Sequence, residues 1–99
     1  MANQQPTLVR EERGGETYAY YPLGQYVVAA PGVCGGRPTF KYTRLEVATV
    51  LAMLASGKPV DQIAEEFDAS ELKVDAIREA AHLASAALVQ LAPHQGLTA

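Results

Sequence analysis

The stretch Val60–Ala80, VDQIAEEFDASELKVDAIREA, decides how the second half of this chain is expected to fold. Its apolar residues fall where two helices joined by a tight turn bury their side chains, a pattern typical of a helix-turn-helix unit. The charge argues against the usual use of such a unit, because seven acids accompany two bases and leave a net charge of −5. The stretch therefore predicts the shape of a DNA-binding unit without the charge that DNA attracts.

The composition predicts one small globular domain over residues 1–99. The chain is 48% hydrophobic and 19% charged, with a net charge of −3, so it has no general attraction to nucleic acid or to an anionic membrane. Its longest apolar run, Leu45–Ala55, is far shorter than the roughly 20 residues that span a bilayer. A single cysteine and the lack of an apolar signal-peptide core predict a cytoplasmic protein.

Two kinds of pattern divide the chain. Residues 7–30 are predicted to form short β-strands, because tyrosines and β-branched residues flank Arg13–Gly15, which is typical of a hairpin turn. Residues 43–92 are predicted to form three helices, the first of them beginning at the capping-box pair of Thr43 and Glu46. The expected helix bounds are Thr43 to Ser56 and Gly57, then Pro59 to Phe67, then an N-cap at Ser70 with Pro93 as the stop.

The predicted fold class is therefore α+β and mainly α. An N-terminal β-hairpin with short strands is expected to precede a three-helix core of the helix-turn-helix, winged-helix-like kind. Residues 1–6 and 93–99 are expected to be flexible tails.

Basic residues gather around a glycine-rich segment, GVCGGRPTFKYTRLEV at Gly32–Val47. Successive glycines can form a backbone nest for an anion, although structural turns explain such glycines equally well. If DNA is bound, the expected role of the basic residues is to contact phosphates and position a duplex. The predicted phosphate contacts are Arg37, Lys41 and Arg44, assisted by Lys73 and Arg78.

Acidic and tyrosine side chains offer a second kind of surface. The acids of the second and third helices could dock the basic groove of a partner protein. The tyrosines of the predicted strands could stack bases or pack one face of a sheet. The predicted partner face consists of Glu65, Glu66, Glu71, Asp75, Tyr18 and Tyr20.

No pattern in the sequence predicts catalysis, a metal or a cofactor. His82 and His94 lack partner cysteines, which argues against a zinc site. Cys34 has no histidine or aspartate in its segment and is expected to be an ordinary loop cysteine. The protein is therefore predicted to be non-enzymatic.

The helices suggest self-association. LEVATVLAMLA, at Leu45–Ala55, is apolar on nearly every face, whereas a surface helix of a small domain usually has one apolar stripe. The third helix repeats apolar residues at spacings of three or four. The two helices could simply pack on each other, but so short a chain has few ways to cover both. We therefore expect a homodimer.

The segment from Pro31 to Phe67 resembles the bacterial domain of unknown function 433 family. The family pattern has a Gly-Gly-Lys/Arg-Pro stretch, then Gly-Thr-Arg, an apolar helix and a glycine-containing turn before the last helices. The resemblance covers roughly Tyr26 to Leu88, and two departures from it are Tyr42 at the usual glycine and Glu46 at a common proline. The matching residues are Gly32, Cys34, Gly35, Gly36, Arg37, Pro38, Thr43, Arg44, Leu54, Gly57 and Ile63.

The resemblance implies a small dimeric protein of the antitoxin type, because relatives often accompany a PIN-like ribonuclease toxin. Such a protein would bind its toxin and act in transcription by repressing its own operon through operator DNA. The alternative is a structural or adaptor protein that kept the scaffold and binds only protein partners. The acidic helix, Tyr42 and the additional tyrosine-rich hairpin favour this alternative. A free strand edge at Thr17–Tyr21 could then pair with a partner's sheet.

Overall fold

The first half of the chain forms an antiparallel sheet of four strands. The structure, a computed structural model, describes residues 7–92, so the predicted tails at 1–6 and 93–99 lie outside the described residues. The strands follow one another across the sheet in the order β1-β2-β3-β4. Their bounds are β1 Val9–Arg13, β2 Glu16–Pro22, β3 Val27–Ala29 and β4 Pro38–Phe40.

The β1–β2 hairpin turns through two glycines. Gly14 and Gly15 both have positive φ, 58° and 83°, which matches the tight turn whose twist suits paired strands. Arg13 pairs with Glu16 across this turn, and the pairing continues without a break to Val9 opposite Tyr20. The prediction of a hairpin turn at Arg13–Gly15 is confirmed.

Three helices follow the sheet: α1 at Val47–Ala55, α2 at Val60–Glu66 and α3 at Val74–Leu91. The predicted end of the first helix is confirmed, because Ser56 is its C-cap and the next residue, Gly57, has a positive φ of 100°. Its predicted start is wrong. The Thr43 hydroxyl donates to the Phe40 carbonyl at 2.8 Å and accepts the Leu45 amide at 3.0 Å. Thr43 therefore closes a loop instead of capping a helix, and α1 begins four residues later.

The link between α2 and α3 differs from the turn predicted for Val60–Ala80. A short 3-10 turn at Asp68–Ser70 is followed by Glu71 in the left-handed conformation, with a φ of 56°. Lys73, not Ser70, precedes the first turn of α3. Since residues 67–73 all separate the helices, the link is longer than the three- or four-residue turn of a helix-turn-helix unit.

The predicted fold class therefore requires correction. The described residues are 47% helical and 22% strand, so the α+β description fits and the mainly helical, winged-helix-like core does not. The sheet precedes every helix and includes β4, for which no strand was predicted. The physical reason is burial: Thr39 and Phe40 of β4 are almost fully buried, so a three-residue strand without visible alternation completes the sheet.

The sheet has a hydrophobic cluster on each face. Val27 and Val28 are adjacent in β3, and successive side chains of a strand point to opposite faces. Val28 packs with Tyr20 and Ala30 on the hairpin side of the sheet. The cluster on the other face joins the sheet to the helices and contains Val27, Phe40, Val47, Val50, Ile63, Leu72, Ala76, Ile77 and Ala80.

A carboxylate of α3 binds the turn between β2 and β3. Glu79 Oε2 accepts the backbone N–H of Gln25 at 2.7 Å, and Oε1 accepts those of Tyr26 and Val27 at 2.7 and 3.1 Å. Three consecutive N–H groups that would otherwise need solvent thus converge on one charged group. This contact fixes the position of α3 along the sheet.

We expect Glu79→Ala to lower the free energy of unfolding by about 2–3 kcal/mol, because hydrogen bonds to a charged group are among the stronger ones. Glu79→Gln should lower the free energy of unfolding by about half as much, because a side-chain amide keeps one of the two accepting oxygens. Urea unfolding measures both. Arg78→Ala, at the exposed neighbouring position, is the matched control and should stay within about 0.5 kcal/mol of the parent.

Gly24 supplies a second test of the same contact. A Cβ added at Gly24 would lie 2.6 Å from the Glu79 carboxyl group, so Gly24→Ala should displace the carboxylate. The cost of Gly24→Ala should then largely disappear in a Glu79→Ala background. Strict additivity of the two substitutions would contradict the contact.

Candidate functional site

Glu11 lies at the centre of a group of polar and aromatic side chains, here called the hairpin cluster: Glu11, Arg13, Tyr18, Tyr20, Lys41 and Tyr42. The carboxylate of Glu11 accepts the Tyr20 hydroxyl at 2.7 Å and the Tyr42 hydroxyl at 2.6 Å. These hydrogen bonds, that of Tyr42 above all, lower the pKa of Glu11, with a smaller contribution from the Lys41 ammonium. The bond to Glu11 also raises the pKa of Tyr20.

Tyr42 joins the hairpin to the loop after β4. It has a φ of 69°, which is unusual for a bulky residue and stores strain. Its backbone N–H donates to the Tyr18 hydroxyl at 3.0 Å, and the two rings are 5.3 Å apart. The strained conformation therefore persists because backbone, ring and hydroxyl of Tyr42 all have partners on the hairpin.

Two cations complete the hairpin cluster. The Arg13 guanidinium stacks on the Tyr42 ring, 3.7 Å from its centre. Lys41 Nζ is 4.0 Å from Glu11 and lies 4.9 and 5.1 Å from the ring centres of Tyr20 and Tyr42. Its contact with Tyr20 is the largest cause of a raised pKa at Lys41. The cluster is thus a connected network in which two cations accompany one carboxylate.

A polar cleft of about 480 Å³ lies beside this cluster. One wall is the β2 segment Glu16–Ala19, and the other consists of Pro31–Val33 and Tyr42–Arg44. Arg13 and Arg44 border the cleft, and neither forms an ion pair within the described part of the chain. The cleft can therefore receive an anionic group.

An apolar groove of about 500 Å³ lies between α1, α3 and the sheet, lined by Leu23, Val27, Arg37, Pro38, Glu46, Val47, Ala48, Leu51, Ala80, Leu83, Ala84 and Ala87. Beyond the groove, α3 continues for a further turn with Leu88 69% exposed and Leu91 79% exposed. An apolar stripe along α3 thus begins in the groove and ends in solvent.

The five predicted phosphate contacts have different surroundings, although Lys41 and Lys73 line the same small cavity. Arg37 forms a bidentate pair with Glu46 at 2.9 and 3.0 Å, which raises the pKa of Arg37 and lowers that of Glu46. Lys41 belongs to the hairpin cluster. Arg44 borders the polar cleft, and Lys73 and Arg78 are exposed at the start of α3 and within it.

The predicted partner face is divided between two regions. Glu65, Glu71 and Asp75 are exposed on or near α2 and α3, and Glu66 of the same face pairs with Lys58 at 2.6 Å. The two tyrosines of the predicted face, Tyr18 and Tyr20, lie in the hairpin cluster instead. Tyr20 is 4% exposed and Tyr18 is half-buried, so their main contacts are internal.

The glycine-rich loop forms a turn. The Gly36 amide donates to the Val33 carbonyl and the Arg37 amide donates to the Cys34 carbonyl, so neither amide points to a ligand. Cys34 is half-buried, and its thiol donates to the Arg44 carbonyl at 3.4 Å. Within residues 7–92, no three potential metal ligands lie together and no helix has the length and apolarity to cross a membrane.

Sequence reasoning missed three residues of these sites. Neither Glu11 nor Glu79 was assigned a role, because Tyr42 lies 31 positions from Glu11 and Gln25 lies 54 positions from Glu79. Arg13 was assigned only to a turn. For Tyr42 a signal existed, because it stands where the family pattern has glycine, and the observed φ of 69° explains that glycine.

Comparison with known families identifies the class of protein. The model of a family described as a protein of unknown function, DUF433, matches residues 27–83. The match covers more than half of the chain, so the chain belongs to this family. No curated protein and no solved structure matches the chain.

The matched residues run from β3 into α3, and the β1–β2 hairpin lies outside them. Tyr42 and Lys41 lie inside the match and contact Glu11 outside it. The hairpin cluster is therefore the contact between the family region and the N-terminal hairpin.

The depressed pKa of Glu11 predicts a pH-dependent stability. The ionised carboxylate stabilises the folded protein above the ordinary glutamate pKa of about 4.3, and this contribution fades as the pH falls through the lower pKa of the folded state. Urea unfolding should therefore find Glu11→Gln less stable than the parent at neutral pH, with the difference closing in acid. Glu12→Gln is the control, and a difference that does not change with pH would contradict the role of the charge.

Proposed function

We propose that this protein is a non-enzymatic regulatory protein of the antitoxin type, which forms a homodimer and binds a partner protein. The distribution of charge supports this proposal most directly. Arg37 and Lys41 already contact Glu46 and Glu11, whereas the acids Glu65, Glu71 and Asp75 are exposed and form no ion pair within the described residues. Such a surface suits a basic protein better than a nucleic acid.

The mode of partner binding follows from that surface. An exposed acidic face attracts a basic groove before contact and favours encounter at low salt. The resemblance described above implies a PIN-like ribonuclease as the neighbour, and we expect its RNA-binding groove to carry basic residues that contact phosphates. Occupation of that groove by the acidic face would block access of RNA.

The test of partner binding is co-expression with the product of the gene adjacent to its own. We expect a stable complex. The double variant Glu65→Lys, Asp75→Lys should reduce the affinity at least tenfold and should make the remaining affinity less dependent on salt. Glu12→Lys, on the distant hairpin, is the control for net charge. A complex that tolerates the double variant, or no complex at all, would contradict binding through the acidic face.

Operator DNA is the weaker candidate, because two of the predicted phosphate contacts, Arg37 and Lys41, are already paired with carboxylates. Titration with a labelled duplex from upstream of its own gene should give no preference over a scrambled duplex. Non-specific binding to either duplex should be weak and should vanish at moderate salt. A preferred duplex with a steep salt dependence would reverse this ranking.

The apolar groove supports the homodimer. Ala80, Ala84, Ala87 and Leu91 recur at helical spacing, so they share one face of α3. The small alanines permit close approach of another helix. A two-fold contact between two copies would cover this stripe in both, including Leu91. The second copy is the occupant that we propose for the groove.

Leu91→Glu should convert the dimer to a monomer in light scattering coupled to gel filtration, because it places a charge in the proposed contact. Val89→Glu is the matched control. Val89 is also an exposed residue of the last turn, but it lies half a turn away from the stripe. Equal effects of the two substitutions, or a monomeric parent, would contradict this dimer.

A further inference from the structure

The β2 strand has an unpaired edge in the middle of the sheet. β1 pairs with β2 from Glu16 to Tyr20, but β3 pairs with β2 only at Tyr21 and Pro22. The chain leaves β3 after Ala29 and turns at Pro31, where the Val33 amide donates to the Ala30 carbonyl. The place that a longer β3 would occupy, opposite Glu16–Ala19, is the polar cleft.

The register determines which backbone groups face this gap. Arg13 and Glu16 close a two-residue turn, and hydrogen-bonded and non-hydrogen-bonded pairs alternate from there. Thr17 and Ala19 are the non-hydrogen-bonded members, so their N–H and C=O groups point away from β1. No hydrogen bond joins these groups to another residue in the described part of the chain. Two donors and two acceptors therefore face the cleft at strand spacing.

The residues that line the cleft indicate that β2 borders it with the edge of the strand, not with one of its faces. Four consecutive residues of β2 line it, although alternate side chains of a strand point to opposite faces. Only the edge of the strand can present all four to one cleft. Four residues of strand extend roughly 13 Å, enough for a short extended segment to pair.

The charges of the cleft favour an acidic occupant. The side chains of Arg13 and Arg44 border it, and Glu16 is the single carboxylate among the lining residues. The Arg13 guanidinium lies over the Tyr42 ring, 3.7 Å from its centre, and forms no ion pair within residues 7–92, so its N–H groups can donate to an incoming carboxylate. A carboxylate carried by a paired strand would meet two guanidinium groups.

We propose that the polar cleft binds an extended acidic peptide segment of a partner protein, which adds to the free edge of β2 between Glu16 and Ala19. Backbone pairing with Thr17 and Ala19 supplies the affinity, and pairing of an acidic side chain with Arg13 and Arg44 supplies the selectivity. This site shares no residue with the acidic face or the apolar groove, so it stands independently of the function proposed above.

The test uses a fluorescein-labelled hexapeptide of alternating valine and glutamate, titrated with the full chain by fluorescence anisotropy. We expect saturable binding that weakens at least tenfold when the glutamates are replaced by glutamines. A peptide N-methylated at alternate residues should also bind at least tenfold more weakly, because it cannot donate to the strand edge.

Protein variants separate the two parts of the proposal. Arg44→Gln should weaken the acidic peptide about tenfold and reduce its salt dependence, and Arg10→Gln, on a β1 residue outside the cleft, is the matched control. Ala19→Pro removes a cleft-facing N–H without removing a β1–β2 hydrogen bond and should abolish binding. The N-methylated peptide makes the same test on the parent chain if Ala19→Pro fails to fold.

Three outcomes would overturn the proposal. One is the absence of binding by the acidic peptide, and another is binding that depends on Arg44 but is unaffected by Ala19→Pro and by N-methylation. The third is a dimer that Ala19→Pro converts to a monomer, because a second copy would then occupy the edge. Failure to bind the product of the adjacent gene would contradict only the function proposed for the acidic face and would leave the peptide site at the polar cleft unaffected.

Discussion

The Glu79 carboxylate fixes the relation between the two halves of the molecule. α3 is the longest helix and carries the apolar stripe, whereas the sheet carries the hairpin cluster and the polar cleft. Hydrophobic contacts between Val27 and Ala80 hold these layers together without fixing their register, because such contacts are not directional. Three hydrogen bonds from one turn to one carboxylate are directional, so the apolar stripe and the polar cleft depend on this contact for their relative position.

Tyr42 has a comparable role for the hairpin. A glycine there would adopt the positive φ at no steric cost, but it would have neither ring nor hydroxyl to contact Glu11, Tyr18 and Arg13. The strain of a bulky residue is offset only when the hairpin is in place. Tyrosine at this position therefore links the conformation of a family loop to the docking of a segment outside the family match.

The sequence predicted features that depend on local rules and missed those that depend on distant contacts. The turn at Gly14 and Gly15 and the end of α1 follow from residues that tolerate positive φ, and both were correct. The start of α1 was wrong because Thr43 hydrogen-bonds the loop before it. Strand β4 was missed because three residues show no periodicity, and the contacts of Glu79 join residues more than fifty positions apart.

The same distinction explains the candidate sites. Counting charges predicted a basic loop, but Arg37 and Lys41 contact carboxylates that only the fold brings near them, which leaves Arg44 and the unpredicted Arg13 at the cleft. The sequence predicted a strand with a free edge at Thr17–Tyr21, but it did not indicate which part of that edge stays unpaired, because this depends on β3 being shorter than β2. This edge faces an open polar cleft, so water can satisfy its N–H and C=O groups in the free protein. A strand that paired there would exchange backbone hydrogen bonds with water for hydrogen bonds with β2, so the selectivity of the proposed site would depend on the charges of Arg13 and Arg44.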